Sequence, residues 1–139
     1  MTERHEFLSD AWFAALEQEA QKLLDASAAG QEASFVYAEH FTDIPAPGDD
    51  GHEAGYVMTL SRGKAHVRPG IQGCEAADCL VRMDYGAALE SLKFKSGPAL
   101  GEFMRKAGEA GAVGLTGSLE GAPIAMNALH DAICDRTRK

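Results

Sequence analysis

The sequence predicts an α+β protein with a five-stranded, largely antiparallel sheet, and three observations carry that reading. Period-two and period-three-to-four segments run in the order α-β-β-β-β-α-α-β-α, so the helices are grouped rather than alternating with every strand. Apolar residues make up 45% of 139 residues and charged residues 24%, which is a globular composition with the length of one domain, here 1–139. All apolar runs are short, so no integral membrane segment is expected.

The first element is a helix in SDAWFAALEQEAQKLLDAS. Phe13, Leu16, Ala20, Leu23 and Leu24 recur at helical steps, Ser9 is placed to cap the start, and Gly30 follows the end. ASFVYAEHFT is a strand in which Phe35, Tyr37 and Phe41 alternate with smaller or polar residues. DIPAPGDDGHEAG is an acidic, proline- and glycine-bearing loop. GYVMTLS and KAHVRPG form a hairpin turned at Ser61-Arg62-Gly63-Lys64, and ADCLVRMD is a fourth strand. YGAALESLKF and GPALGEFMRKAGEAG are helices, the second opened by Pro98 and striped by Leu100, Phe103, Met104 and Ala107. AVGLTGSLEG is a glycine-weakened fifth strand. The last helix is expected to begin at Pro123, to carry Ile124, Met126, Leu129 and Ile133, and to end in cations suited to a helix C-terminus.

Charge narrows the partners. The net charge is −8, divided into −10 over residues 1–60 and +2 over 61–139. A nucleic-acid partner needs clustered cations, so none is expected. The three cysteines, Cys74, Cys79 and Cys134, are odd in number and match no zinc or CxxC spacing. With no secretory signal in MTERHEFLSD, they point to a reducing compartment and a cytoplasmic protein.

Catalytic motifs are weak. Gly111, Gly114 and Gly117 have the spacing of a phosphate loop but fall in a strand after a helix, where close packing or a bulge is the simpler reading. Asp49, Asp50, His52 and Glu53 match neither an EF-hand nor a HExxH pattern. Cys74 with His66, or Cys134 with His130 one helical turn earlier, form the available thiol–imidazole pairs, and neither has a third orienting group. No catalytic residue, metal ligand or cofactor is therefore expected. The remaining constellation is apolar: Phe94, Leu100, Phe103, Met104, Leu115, Met126 and Leu129, with Met83 and Ile133, could share one interior. Flexible methionine and flat phenylalanine among 24 alanines and 15 glycines suit an adaptable cavity.

FLSDAWFAALEQEA, the aromatic strand after it, YVMTLSRGKAHVRPG, ADCLVRMDYGAALESLK and Leu115-Thr116-Gly117-Ser118 before a terminal helix resemble the sterol carrier protein 2 (SCP-2) family, in its compact bacterial stand-alone form. The resemblance covers roughly residues 7–135. It implies a sheet covered on one face by helices, a hydrophobic tunnel between them, and non-enzymatic binding or transfer of a fatty acid, acyl-CoA or sterol-like ligand. Phe94, Leu100, Phe103, Met104, Leu115, Met126 and Leu129 are the expected lining. Arg105 to Ala112 and the loop 43–54 depart from the family pattern. The alternative reading is an accessory module that binds a protein partner, motivated by the charge division. A third is an enzyme built on Cys134 with His130 or on metal at the acidic loop.

Overall fold

The computed structural model describes residues 4–28, 32–44 and 53–138; Gly30 and the acidic stretch 45–52 lie outside them. The elements are α1 (Asp10–Asp25), β1 (Ser34–Thr42), β2 (Glu53–Ser61), β3 (Lys64–Pro69), a 3-10 turn (Cys74–Ala76), β4 (Cys79–Asp84), α2 (Tyr85–Ser91), α3 (Pro98–Glu109), β5 (Val113–Gly117) and α4 (Met126–Asp135). The sheet order is β3-β2-β1-β4-β5, with β1 and β4 parallel and the other three pairs antiparallel.

Local chemistry sets several of these boundaries. Ser9 caps α1 by accepting from the Trp12 amide at 3.1 Å. Arg62 and Gly63 both have positive φ, 52° and 78°, as a two-residue mirror-image hairpin turn requires, and they set Ser61 opposite Lys64. Asp84 ends β4 and caps α2 by accepting from the Ala87 amide at 3.2 Å. α4 starts at Met126 rather than at Pro123, which corrects the sequence expectation. The Pro123 carbonyl accepts from the Ser27 hydroxyl at 2.7 Å instead of entering the helix ladder, whose first bonds run to Ala125. Gly117 marks a close approach, since a Cβ there would sit 2.1 Å from the Asp78 carbonyl oxygen. The packing reading holds at that position only, because a Cβ at Gly111 or Gly114 would meet nothing within 4 Å.

The two sheet faces differ. Phe35, Tyr37 and Phe41 of β1, Tyr56, Met58 and Leu60 of β2, and Cys79 and Met83 of β4 share one core with Trp12, Leu16 and Leu24 of α1, Ala88 of α2 and Leu129 and Ile133 of α4. The helices thus lie on one face. The opposite face carries a smaller cluster of Ala38, Val57 and Leu80 beneath Cys74 and Ile71 of the β3–β4 connection.

The chain ends are fastened to this core. His5 bridges Thr137, and the Trp12 indole N–H donates to the Thr137 hydroxyl at 2.9 Å, which itself donates to the Ile133 carbonyl at 2.6 Å. Thr137 is fully buried. Thr137→Val keeps the shape and leaves the indole N–H without its acceptor, so a loss of about 1–3 kcal/mol in urea unfolding is expected. An unchanged midpoint would mean the pair contributes nothing net.

Candidate functional site

Period two places Phe35, Tyr37, Glu39 and Phe41 on the helix-facing side of β1, so a carboxylate interrupts an otherwise aromatic row. Register brings Tyr56 of β2 directly opposite Glu39, and Val81 of β4 lies beside it on the other flank. The Tyr56 hydroxyl donates to Glu39 Oε1. Tyr37, two residues earlier on the same face, also lines the cavity beside that carboxyl. Above this trio a cavity of about 100 Å³ lies between the sheet and the helices. Phe7, Trp12, Leu16, Phe41 and Met83 form part of its apolar wall, Ala88, Ser91 and Leu92 enter from α2 and its end, and Met126, Leu129, His130 and Ile133 from α4.

Burial pushes the Glu39 carboxyl above the ordinary glutamate range; the nearby hydroxyls of Tyr56 and Tyr37 and the field of His130 oppose that rise only in part. Although the residue retains some accessible surface, it lines the cavity, and its carboxyl is surrounded by protein. Tyr37 and Tyr56 are held well above the usual phenol value, first by burial and then by the adjacent Glu39. A carboxyl whose pKa is raised by folding binds its proton more tightly in the folded state. Its stabilising contribution is therefore complete below the unfolded pKa and lost as pH rises through the folded one. Wild type should accordingly gain stability relative to Glu39→Gln as pH falls from neutral to about 4, around the ordinary glutamate value. Melting both proteins across that range checks it; a pH-independent difference would contradict the raised carboxyl.

Other candidate chemistry is tied into structure. His130 Nε2 lies 2.8 Å from the Phe94 carbonyl and 3.3 Å from Cys134 Sγ. A carbonyl only accepts, so Nε2 carries a proton and is not the base for that thiol. Cys134 is buried and lies 3.5 Å from the same carbonyl. His66 approaches Glu17, whereas Cys74 contacts Glu75. Among the described residues no group of three or more His, Cys, Asp or Glu side chains is placed to hold a metal, and no helix is long and apolar enough to cross a membrane. The acidic loop candidates Asp49, Asp50 and His52 lie outside the described residues.

No protein-family profile matches the chain, and no curated protein matches it significantly in sequence. Solved structures do match in three dimensions. The crystal structure of a sterol carrier protein 2 superposes with a TM-score of 0.58 at 19% identity, over 94% of this chain and 98% of that one. A conserved hypothetical protein of Thermus thermophilus, described as possibly a sterol carrier protein, gives 0.54 at 19% identity over 98% and 94%. Apo sterol carrier protein 2 of Yarrowia lipolytica gives 0.52 at 12% identity over 96% and 94%.

The chain has the sterol carrier protein 2 fold.

Within this sterol carrier fold, Met126 and Leu129 line the cavity. Phe94, Leu100, Phe103, Met104 and Leu115 are not among its lining residues. Phe94 and Phe103 stack on each other with ring centroids 5.6 Å apart, Leu100 is half-buried, and Met104 packs at the border of the main core. α3 packs chiefly against α2 and β5, away from the cavity, and buries only Ala107. The departure at Arg105 to Ala112 is the second half of α3 and its turn into β5, with Arg105 paired to Glu102 and Glu109. Leu115 pairs with Val81 on the helix-facing side but is 58% exposed, because α3 packs against β5 without covering it. Sequence reasoning missed Glu39, Tyr37 and Tyr56 as a site. The available signal was the acid in the third position of the alternating row Phe35, Tyr37, Glu39, Phe41.

Proposed function

We propose that this protein is a non-enzymatic carrier that binds a long apolar ligand between its sheet and its helix layer. The observation that carries the reading is the cavity itself, walled by Phe7, Trp12, Leu16, Phe41, Met83 and Leu129 at the centre of the fold. The structural likeness to proteins described as sterol carriers supports it. The compact stand-alone type of carrier is part of the same proposal.

Size decides how the ligand sits. An apolar cavity of about 150 Å³ accommodates a benzene ring, so a cavity of about 100 Å³ holds only a segment of a long chain. The remainder leaves along the transverse row Tyr56, Glu39, Val81, Leu115, in which exposure rises from the buried Tyr56 to the open β5 edge. On this reading the open end of a tunnel lies towards the exposed Leu115. Each methylene removed from water contributes about 0.8 kcal/mol, so affinity needs area more than polar contacts.

Native mass spectrometry with organic extraction, together with emission titrations of the single tryptophan, Trp12, test the proposal. A bound lipid, or saturable emission changes with medium- and long-chain aliphatics, is expected. Purified protein that is empty and shows no saturable change would overturn it. Occupancy that persists in isolated protein also separates this reading from that of a partner-dependent accessory module.

A further inference from the structure

We propose that Glu39, Tyr37 and Tyr56 form the head-group subsite of the cavity, and that it selects an apolar molecule ending in a protonated amine, accepts an alcohol less well and rejects a carboxylate. The inference rests on the carrier reading above and adds the chemistry of the ligand's polar end.

Donors and acceptors around the cavity are unequally committed. The Tyr56 hydroxyl is committed to the Glu39 carboxyl, and the Tyr37 hydroxyl lies beside it on the same face. The Ser91 hydroxyl donates to the Ala88 carbonyl at 2.7 Å, and the Trp12 indole N–H donates to Thr137. His130 Nε2–H is spent on the Phe94 carbonyl. Among the described lining residues, four of the five side chains able to donate thus already donate to protein, and the fifth, Tyr37, lies beside Glu39. A carboxylate offers about four acceptor sites, so even two tyrosine donors would leave capacity on Glu39, and the phenolic oxygens accept as well. The described wall therefore has more unclaimed acceptor sites than unclaimed side-chain donors.

Charge points the same way. Among the described residues no lysine or arginine lines the cavity, so none of them gives the Glu39 carboxylate a permanent cationic partner there. Buried charges are ordinarily paired, and burial raises the pKa of this one. An ammonium head supplies the counter-charge and three donors in one group. A fatty carboxylate supplies neither and sets two negative groups against each other. An alcohol supplies one donor and no charge. The net charge of −8 favours approach of a cationic amphiphile over an anionic one.

The test compares decylamine, 1-decanol and decanoate at neutral pH below their micellar concentrations, read by Trp12 emission, in wild type and in Glu39→Gln. The three probes share a chain length, so differences report the head group. Wild type should bind decylamine tightest and decanoate weakest, about tenfold apart or more, as one charge-assisted hydrogen bond gives. In Glu39→Gln the order should collapse to within about threefold, with 1-decanol binding retained as the sign of an intact cavity. Decanoate binding as well as decylamine to wild type overturns the proposal even if the variant fails to fold. An order unchanged in a folded Glu39→Gln also overturns it. Saturable binding with no head-group preference removes this inference alone, whereas no binding by any of the three removes the carrier reading and this one with it.

Discussion

Ala88→Leu should weaken ligand binding by roughly thirtyfold while leaving the protein folded. Ala88 is buried on α2, and its methyl group lines the cavity opposite the aromatic row of β1. An isobutyl group there occupies space that ligand methylenes would fill. At about 0.8 kcal/mol per methylene the displaced contacts amount to about 2 kcal/mol. In a filled core the same change would cost about 1–3 kcal/mol in strain. Here the cavity receives the added carbons, so the melting temperature should hold or rise, as cavity-filling changes generally allow. Emission titration with an aliphatic probe and a thermal melt give the two readings. Unchanged affinity in a stable variant would place the ligand elsewhere in the molecule.

Gly55→Ala should have the opposite profile, a large loss of stability with the site lost alongside. Gly55 lies on β2 beside Tyr56, and a Cβ there would stand 2.0 Å from the Glu39 carbonyl oxygen and 3.0 Å from Ile71 Cγ2. The first obstacle is backbone, so relief requires moving β2 away from β1 at the pair that joins Tyr56 to Glu39. A cost of about 3 kcal/mol follows from comparable overpacking, or roughly 10 °C in melting temperature for a domain of this size. Urea unfolding and a thermal melt check it. A variant as stable as wild type would show that the strands separate there without penalty.

Much of the fold is legible in the sequence because the signals are local. The helical face of α1, the serine cap, the Arg62-Gly63 turn and the alternation in β1 each lie within a few residues. The site was less legible for a reason visible in Glu39. Alternation assigns it to the core face, but a lone acid in a strand looks like a solvated residue until its neighbours are known. Its partners Tyr56 and Val81 are 17 and 42 positions away, joined to it only by strand pairing. The apolar stripe of α3 shows the converse. Leu100, Phe103 and Met104 have core spacing, yet α3 packs chiefly on α2 and the narrow β5, so they stay half-buried and away from the cavity.

The sequence alone therefore determined the α+β class, the element order and the β2–β3 hairpin, since periodicity, caps and turn residues act over distances the chain itself spans. Tertiary structure decided the parallel pairing of β4 with β1, which puts β1 at the sheet centre and sets Glu39 under the helices. It also decided that α3 meets β5 without covering Leu115. Neither outcome is written in a local pattern. Both depend on which distant surfaces bury the most apolar area together, and that sum is settled only when the whole chain is packed.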